Sequence, residues 1–477
     1  MAIAIDASLL DNVSSPNFEP SFELVNYCIE KHQKELPRLK MLADYYEGKP
    51  HKINKVSDNT PHDKDEVYVN LAKYVTDLMT GFTVGNPVSY SDSDEHNIEL
   101  ITQALAKIKI AKHDIELAKG LSVLGYGLEL HYLSIDDRTG LPFPNVAWID
   151  PRGMFLVVDD TVERKPLFAV RYTEKEDLQQ SKFYEFEIYT KTRKIVYRSA
   201  SNRLVVGQSG EPVYYEHFYN DVPVVEFRNN EEKQGDFEQN LSQIDGYNLL
   251  QTDRIKDKKN FVKALMVLYG FTLPDEKPQE MAGSMVMNAP SKQDGATAEY
   301  ITKTFDESQV QVLVDSLLDD FHKTTYIPNL NDENFAGTQS GQAMRFKLLG
   351  LLLALSVKTS YFEDGIIRRL RLIENVLNVK GANINTDTIN IKFKVNLPFD
   401  RKDVIDQINA SQDFVPLLIS LGWLDDVDNP QELIEMLREQ QEANIERQRK
   451  LFGVQAQRSH SDLEEEDDDT SDDQEEE

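Results

Sequence analysis

The sequence predicts an α+β protein, and three observations carry that prediction. Apolar residues recur every three or four positions from Phe22 to Leu124 and again after Asp236, which is helical spacing. Between Gly125 and Phe227 the pattern changes to short runs of aromatic and β-branched residues separated by Gly, Asp, Asn and Pro, which reads as antiparallel strands. A leucine-rich segment, Leu348 to Leu355, then sits inside a longer helical pattern. It is far shorter than the ~20 residues a bilayer span needs, so it is expected in a core. A chain of 477 residues suggests several domains, and a 40% hydrophobic, 9% aromatic composition can fill sizeable cores.

The first helix is expected over Phe22 to Tyr46, with Pro37 kinking or dividing it and Gly48 and Pro50 stopping it. Residues to Asp65 read as an exposed loop, followed by a second helix from Tyr68 to Phe82. Gly85-Asn86-Pro87 turns into a strand at Val88 to Tyr90, and a third helix is expected from Glu95 to Leu124. Strands are expected at 128–132, 155–158, 167–172, 183–189, 195–197 and 222–227, with Trp148 packed beside a turn at Pro151. A helix over Asp236 to Leu268 begins apolar and becomes polar almost all round, the pattern of a helix bridging solvent or flanked by other chains.

Residues 270–304 are loop-rich with a few strands, and a helix from Glu307 should stop before Pro328. Residues 329–338 form a polar loop of turn-forming residues. Ser340 can cap a long helix to Leu377, whose apolar first half should be buried on all sides. A strand over Ile389 to Val395 and two helices, Arg401 to Leu421 and Pro430 to Leu451, complete the pattern.

Charge is unevenly distributed. The net charge is −30, from 82 acidic and 52 basic residues, and twelve of those carboxylates lie in Asp462 to Glu477, a solvated tail with no base. The body is acidic too, which opposes tight gripping of phosphates and permits DNA to slide. The single cysteine, Cys28, excludes an intramolecular disulfide framework. With no signal-peptide pattern at Met1 to Asp6, the expectation is a soluble, cytoplasmic protein.

Motifs for chemistry are missing from the sequence. It has no G-x-x-x-x-G-K-[ST], no H-E-x-x-H and no G-x-S-x-G. Gly125-Tyr126-Gly127 reads as a helix C-cap, the nine histidines are scattered, and pairs such as Asp319-Asp320 read as solvated surface. No catalytic, metal or cofactor residue is assigned. The best basic cluster is Arg254, Lys256, Lys258, Lys259 and Lys263, interleaved with Asp253 and Asp257. Ion pairs along one helix face are its first reading, and a ring of weak cationic contacts made by many subunits is its second.

The order of three stretches resembles the portal proteins of tailed phages, in particular the siphophage portal family of Gram-positive hosts. The first is Tyr45-Tyr46-Glu47-Gly48-Lys49-Pro50-His51 with Val69-Asn70 and Gly81 to Tyr90; the second is the helix–loop–helix Asp236 to Pro328; the third is Ile327 to Leu330 through Phe335 to Ser340-Gly341-Gln342-Ala343-Met344-Arg345-Phe346-Lys347. The resemblance implies a mostly helical portal fold. Its first wing part would be 22–234, stem helices 235–268 and 307–328 and a clip 269–306. A tunnel loop at 329–339, a long helix with the second wing part at 340–400, a crown at 401–455 and a disordered tail at 456–477 would follow.

It further implies a homo-oligomeric ring, usually of twelve subunits, at one capsid vertex of the virion. Its partners would be a terminase ATPase, a head–tail adaptor, capsid and scaffolding proteins, and double-stranded DNA touched weakly, with no membrane involved and assembly in the host cytoplasm. Asn329, Asn331, Asp332, Glu333, Asn334, Phe335, Thr338 and Gln339 would face DNA. Arg254, Lys256, Lys258, Lys259, Lys263 and Lys323 are the candidate stem or channel cations. A metal-dependent nuclease or hydrolase and a monomeric cytoplasmic adaptor are the alternatives.

Overall fold

Strand order explains how the middle of the chain closes on itself. In the computed structural model, described residues are 2–49 (without 7, 9, 11–14, 16 and 17), 67–262, 265–269, 286–289, 297–301, 307–329, 346–395, 401–411, 414–421, 424 and 433–447. Helix α1 (Phe22–Tyr46) is capped by Ser21, whose hydroxyl accepts from the Leu24 amide, and it runs through Pro37 undivided. Helix α2 (Leu71–Val84) starts three residues later than expected because the Asn70 side chain caps it, accepting from the Lys73 amide at 2.9 Å.

The expected third helix is two helices. These are α3 (Glu95–Ile108) and α4 (Ile110–Leu124), separated by Lys109 at φ 59°. A non-glycine residue in the left-handed region gives no sequence signal there. At the far end of α4, Gly125 (φ 83°) supplies the expected C-cap.

The strands are β1 (Ile3–Ile5), β2 (Ser89–Ser91), β3 (Tyr126–Ile135), β4 (Pro142–Ile149), β5 (Met154–Asp159), β6 (Pro166–Glu176), β7 (Lys182–Tyr189), β8 (Arg193–Ser199), β9 (Val213–Glu216) and β10 (Val224–Arg228). They form a six-stranded sheet in the order β1-β5-β6-β7-β8-β9 and a three-stranded sheet β10-β3-β4. All neighbours in these two sheets are antiparallel except β1, which pairs parallel to β5. Strands β1, β4 and β9 were not expected. Pro142 and Pro144 mask β4, and β9 is a fully exposed edge strand without alternation.

Helix α5 (Leu241–Val262) ends six residues before the expected boundary, because 265–269 pair as strand β11 (Leu265–Tyr269). Strands β12 (Val286–Ala289) and β13 (Thr297–Ile301) flank β11, one parallel and one antiparallel. After α6 (Glu307–Thr325), the long helix α7 (Leu349–Val379) begins later than expected, and Ser340 lies outside the described residues. Strand β14 (Asn390–Lys392) pairs antiparallel with β2.

The first half of α7 corrects an expectation. Leu348, Leu351, Leu355 and Phe362 are buried, yet Leu349, Leu353 and Val357 are exposed, so this helix is covered on one face only. Farther along, α7 packs Phe362, Ile366, Leu370 and Ile373 onto Val225 and Phe227 of β10. Gly365 permits that approach, since a Cβ there would lie 2.3 Å from a Phe227 ring carbon. A second core between α1 and the six-stranded sheet holds Val25, Cys28, Ile29, Phe155, Phe168 and Phe186.

Residues 397–477 form a separate unit. Instead of one helix over Arg401 to Leu421 it has α8 (Arg401–Ser411) and α9 (Leu417–Leu421), with Pro416 just before the second. A further helix covers 433–447, and the acidic tail lies outside the described residues.

Candidate functional site

Two groups of polar side chains organise the larger unit. The first explains why α5 is polar on so many sides. On its near half, Asp245 accepts from the Tyr45 hydroxyl at 2.7 Å, Asn248 from the Val69 amide at 2.8 Å and Thr252 from the Val67 amide at 3.1 Å. Just before α5, Arg38 grips both oxygens of Glu238 at 2.6 Å. On its far half, Arg254 and Lys258 both reach Glu307 at the start of α6.

Asn240 meets Thr324 at the other end of α6, so the two helices run antiparallel. Two members of the basic cluster, Arg254 and Lys258, thus meet a partner on the facing helix. These two cations hold the exposed Glu307 carboxyl below its usual range through their hydrogen bonds. Lys256 lies half-buried on α5, and Lys323 is exposed on α6, 3.7 Å from Asp320. Lys259 lies on α5, while Lys263 falls outside the described residues.

Both ends of 330–345 are pinned. Phe321 and Ile327 are buried, Tyr326 takes φ 59°, and His322 Nδ1 meets the Ile327 carbonyl at 3.0 Å. On the other side, buried Lys358 of α7 pairs with Asp236 at 2.5 Å, and Asp236 also accepts from the Asn229 carboxamide at 2.7 Å. A cleft of about 530 Å³ opens between these anchors, lined by Asn229, Asn230, Tyr326, Gly350, Leu353 and Val357 among others. Of the residues expected to face DNA, Asn329 lies immediately after Pro328; Asn331, Asp332, Glu333, Asn334, Phe335, Thr338 and Gln339 are outside the described residues.

The second group was missed in the sequence. Glu129 of β3 and Arg369 of α7 are completely buried, with Arg369 Nε 3.0 Å from each Glu129 oxygen and a terminal nitrogen at 2.6 Å. That nitrogen also lies 2.8 Å from Asp114 of α4. His113 and His131 approach the Glu129 oxygens through Nε2 at 2.6 and 2.9 Å. Because a carboxylate accepts, both imidazoles donate, and Arg369 takes the place a bound cation would need.

Burial alone would raise the Glu129 carboxyl, but Arg369 and the two histidines outweigh it and hold it well below the usual range. Burial pushes Asp114 up against the opposing pull of Arg369, and it pushes His131 down despite Glu129. The signal available was a lone carboxylate in the otherwise apolar run Leu128-Glu129-Leu130. Its partners come from α4 and α7, which sequence spacing cannot connect.

Charges face one another inside the body, and a polar helix pair, α5 and α6, leads to Ile327. The family follows from comparison with known proteins. Residues 25–447 match the family described as phage portal protein, SPP1 Gp6-like, and the chain belongs to that family. A curated relative, the portal protein of Bacillus phage SPP1, is 22% identical over 399 residues, covering 79% of this chain and 74% of that protein.

Portal proteins are head–tail connectors and not enzymes, which sets aside the nuclease or hydrolase alternative. Membership implies an oligomeric ring associated with the capsid vertex of a virion, which sets aside the monomeric adaptor. Among the described residues, no helix is long and apolar enough to cross a membrane.

Proposed function

We propose that this chain is the ring subunit through which a tailed phage's double-stranded DNA is packaged, retained and ejected. The match over 25–447 to the portal family carries this reading. In it, residues 22–234 with the later part of 340–400 are the wing, α5 and α6 the stem, 269–306 the clip, 329–339 the tunnel loop and 401–455 the crown. Twelve copies surround the channel. The clip meets the terminase ATPase and the head–tail adaptor, capsid and scaffolding proteins meet the outer surface, and assembly takes place in the host cytoplasm.

Physical arguments support these assignments. A channel that bound every phosphate firmly would stall translocation, and log affinity falls steeply with salt only where many cations engage. The tunnel loop offers amides and carboxylates, and on the stem Arg254 and Lys258 are already engaged by Glu307. With no nucleotide-cradling loop in the sequence, translocation energy comes from a separate ATPase.

Negative-stain electron microscopy of the purified chain is the direct test. A ring of about twelve subunits with a central hole is expected, and a monomer at high concentration would overturn the reading. Deleting 331–335 should leave rings intact and lower DNA packaging or retention in an assembly assay. Loss of rings in that variant would make the loop structural.

A further inference from the structure

The exposed face of α7 is apolar in an ordered way. Leu349, Leu353 and Val357, spaced by four residues, are 50%, 62% and 54% exposed, and Phe346, just before the helix, is 78% exposed. The three helical residues make one stripe roughly 12 Å long at the ~1.5 Å rise of a helix. The opposite face, through Leu348, Leu351, Leu355 and Phe362, is already buried in its own chain. Leu353 and Val357 also form a wall of the 530 Å³ cleft, opposite the amides of Asn229 and Asn230. The Asn229 carboxamide oxygen is buried there and makes no hydrogen bond among the described residues. The cleft therefore offers an apolar wall and an unmet acceptor together.

Charge narrows what can cover it. Between Glu333 and Glu363 the sequence has no carboxylate and carries Arg345, Lys347 and Lys358, in a chain whose net charge is −30. Two copies of so acidic a chain repel one another over most of their surfaces. They can approach closely along the stripe, whose own stretch of sequence has no carboxylate; in the cleft beside it Asp236 is neutralised by Lys358 and Glu232 can meet a cation of the neighbour. DNA does not fit the stripe, because a phosphate backbone gains nothing from leucine and valine.

We infer that the Leu349–Leu353–Val357 stripe, with Phe346 before it and the cleft beside it, is a contact that seats the neighbouring copy of this chain in the ring. The contact is heterologous: the stripe of one subunit meets a different surface of the next, and a rotation that closes gives a ring. This rests on the portal reading and adds which surface joins the subunits.

The test uses the full chain. The double variant L353D/V357D should lose rings in negative stain and sedimentation and run as a monomer with unchanged far-ultraviolet circular dichroism. The control V162D/L178D, at two fully exposed positions elsewhere, should keep them. Rings of ordinary diameter from L353D/V357D would overturn the contact while leaving the ring itself standing.

A labelling arm covers the case in which the double variant misfolds. Cys28 is the single cysteine, and it is buried with its thiol pushed up to about 12 by burial, so Leu353→Cys supplies one reactive thiol. Maleimide should label that thiol at least ten-fold more slowly in rings than in the monomer fraction. Equal labelling overturns the inference, and so does protection in both, which would mean that the same chain covers the stripe. A wild-type chain that stays solitary removes the ring reading and this contact with it.

Discussion

The Glu129 cluster and the α5–α6 pair, proposed above as parts of the wing and the stem, handle charge in opposite ways. In the wing, Arg369, Glu129 and Asp114 meet with no access to water, and every partner comes from the same chain. Between α5 and α6, Arg254 and Lys258 share Glu307 nearer the surface. A buried ion cluster is costly to disrupt, because removing one member strands the others in low dielectric. A surface pair adds little, because water screens it. The Glu129 cluster thus resists disruption, whereas the Glu307 pairing adds little to stability.

The largest effect expected from breaking this contrast is in Arg369→Met. Glu129 and Asp114 would remain buried without their cation, at a cost of about 3–5 kcal/mol. Urea denaturation followed by intrinsic fluorescence, with Trp148 of β4 as the wing's reporter, measures it. A loss below the error of the method would show that the cluster is solvated and the comparison mistaken.

Acid should weaken the wing next. Burial lowers His32 and His217 from 6.5 to about 4, and lowers His131 as well. His32 and His217 stay neutral in the folded protein to about pH 4 while the unfolded chain takes up protons below pH 6.5. Their stabilisation is therefore complete above that pH and is lost as pH falls toward 4. His32 alone accounts for about 2 kcal/mol at pH 5. A denaturation midpoint that is flat from pH 7 to 5 would contradict the burial of these rings.

Gly365→Ala probes packing without charge. The added methyl would press on the Phe227 ring where α7 crosses β10, costing about 1–3 kcal/mol by overpacking. The same denaturation series compares it with Arg369→Met. The smallest change is expected from Glu307→Gln, which frees Arg254 and Lys258 at an exposed site. The denaturation midpoint should not move measurably, while, if α5 and α6 are the stem as proposed, rings should show a steeper salt dependence of DNA retention. A large fall in the midpoint would place stem pairing on the same footing as the wing cluster.

Much of this was legible in the sequence where local rules suffice. The first helix stops before Gly48 and Pro50, where expected, and the runs at 155–158, 167–172 and 183–189 became β5, β6 and β7. The break at Lys109 was not legible, because its left-handed backbone is held by the packing of α3 and α4 and not by a glycine. Leu265 to Leu268 read as the end of a helix, because a short apolar run fits either period until β12 and β13 appear beside it.

The sequence by itself determined the mixture of helix and sheet, the polar stem helix, the charge-poor stretch before Glu363 and the order of segments that matches a portal subunit. All of these follow from nearest neighbours along the chain or from composition. Only the tertiary structure decided that Arg369 closes on Glu129, that Glu307 answers Arg254 and Lys258, and that one face of α7 stays bare. Those outcomes depend on which distant elements meet, and burial and Coulomb energy act across space, not along the sequence.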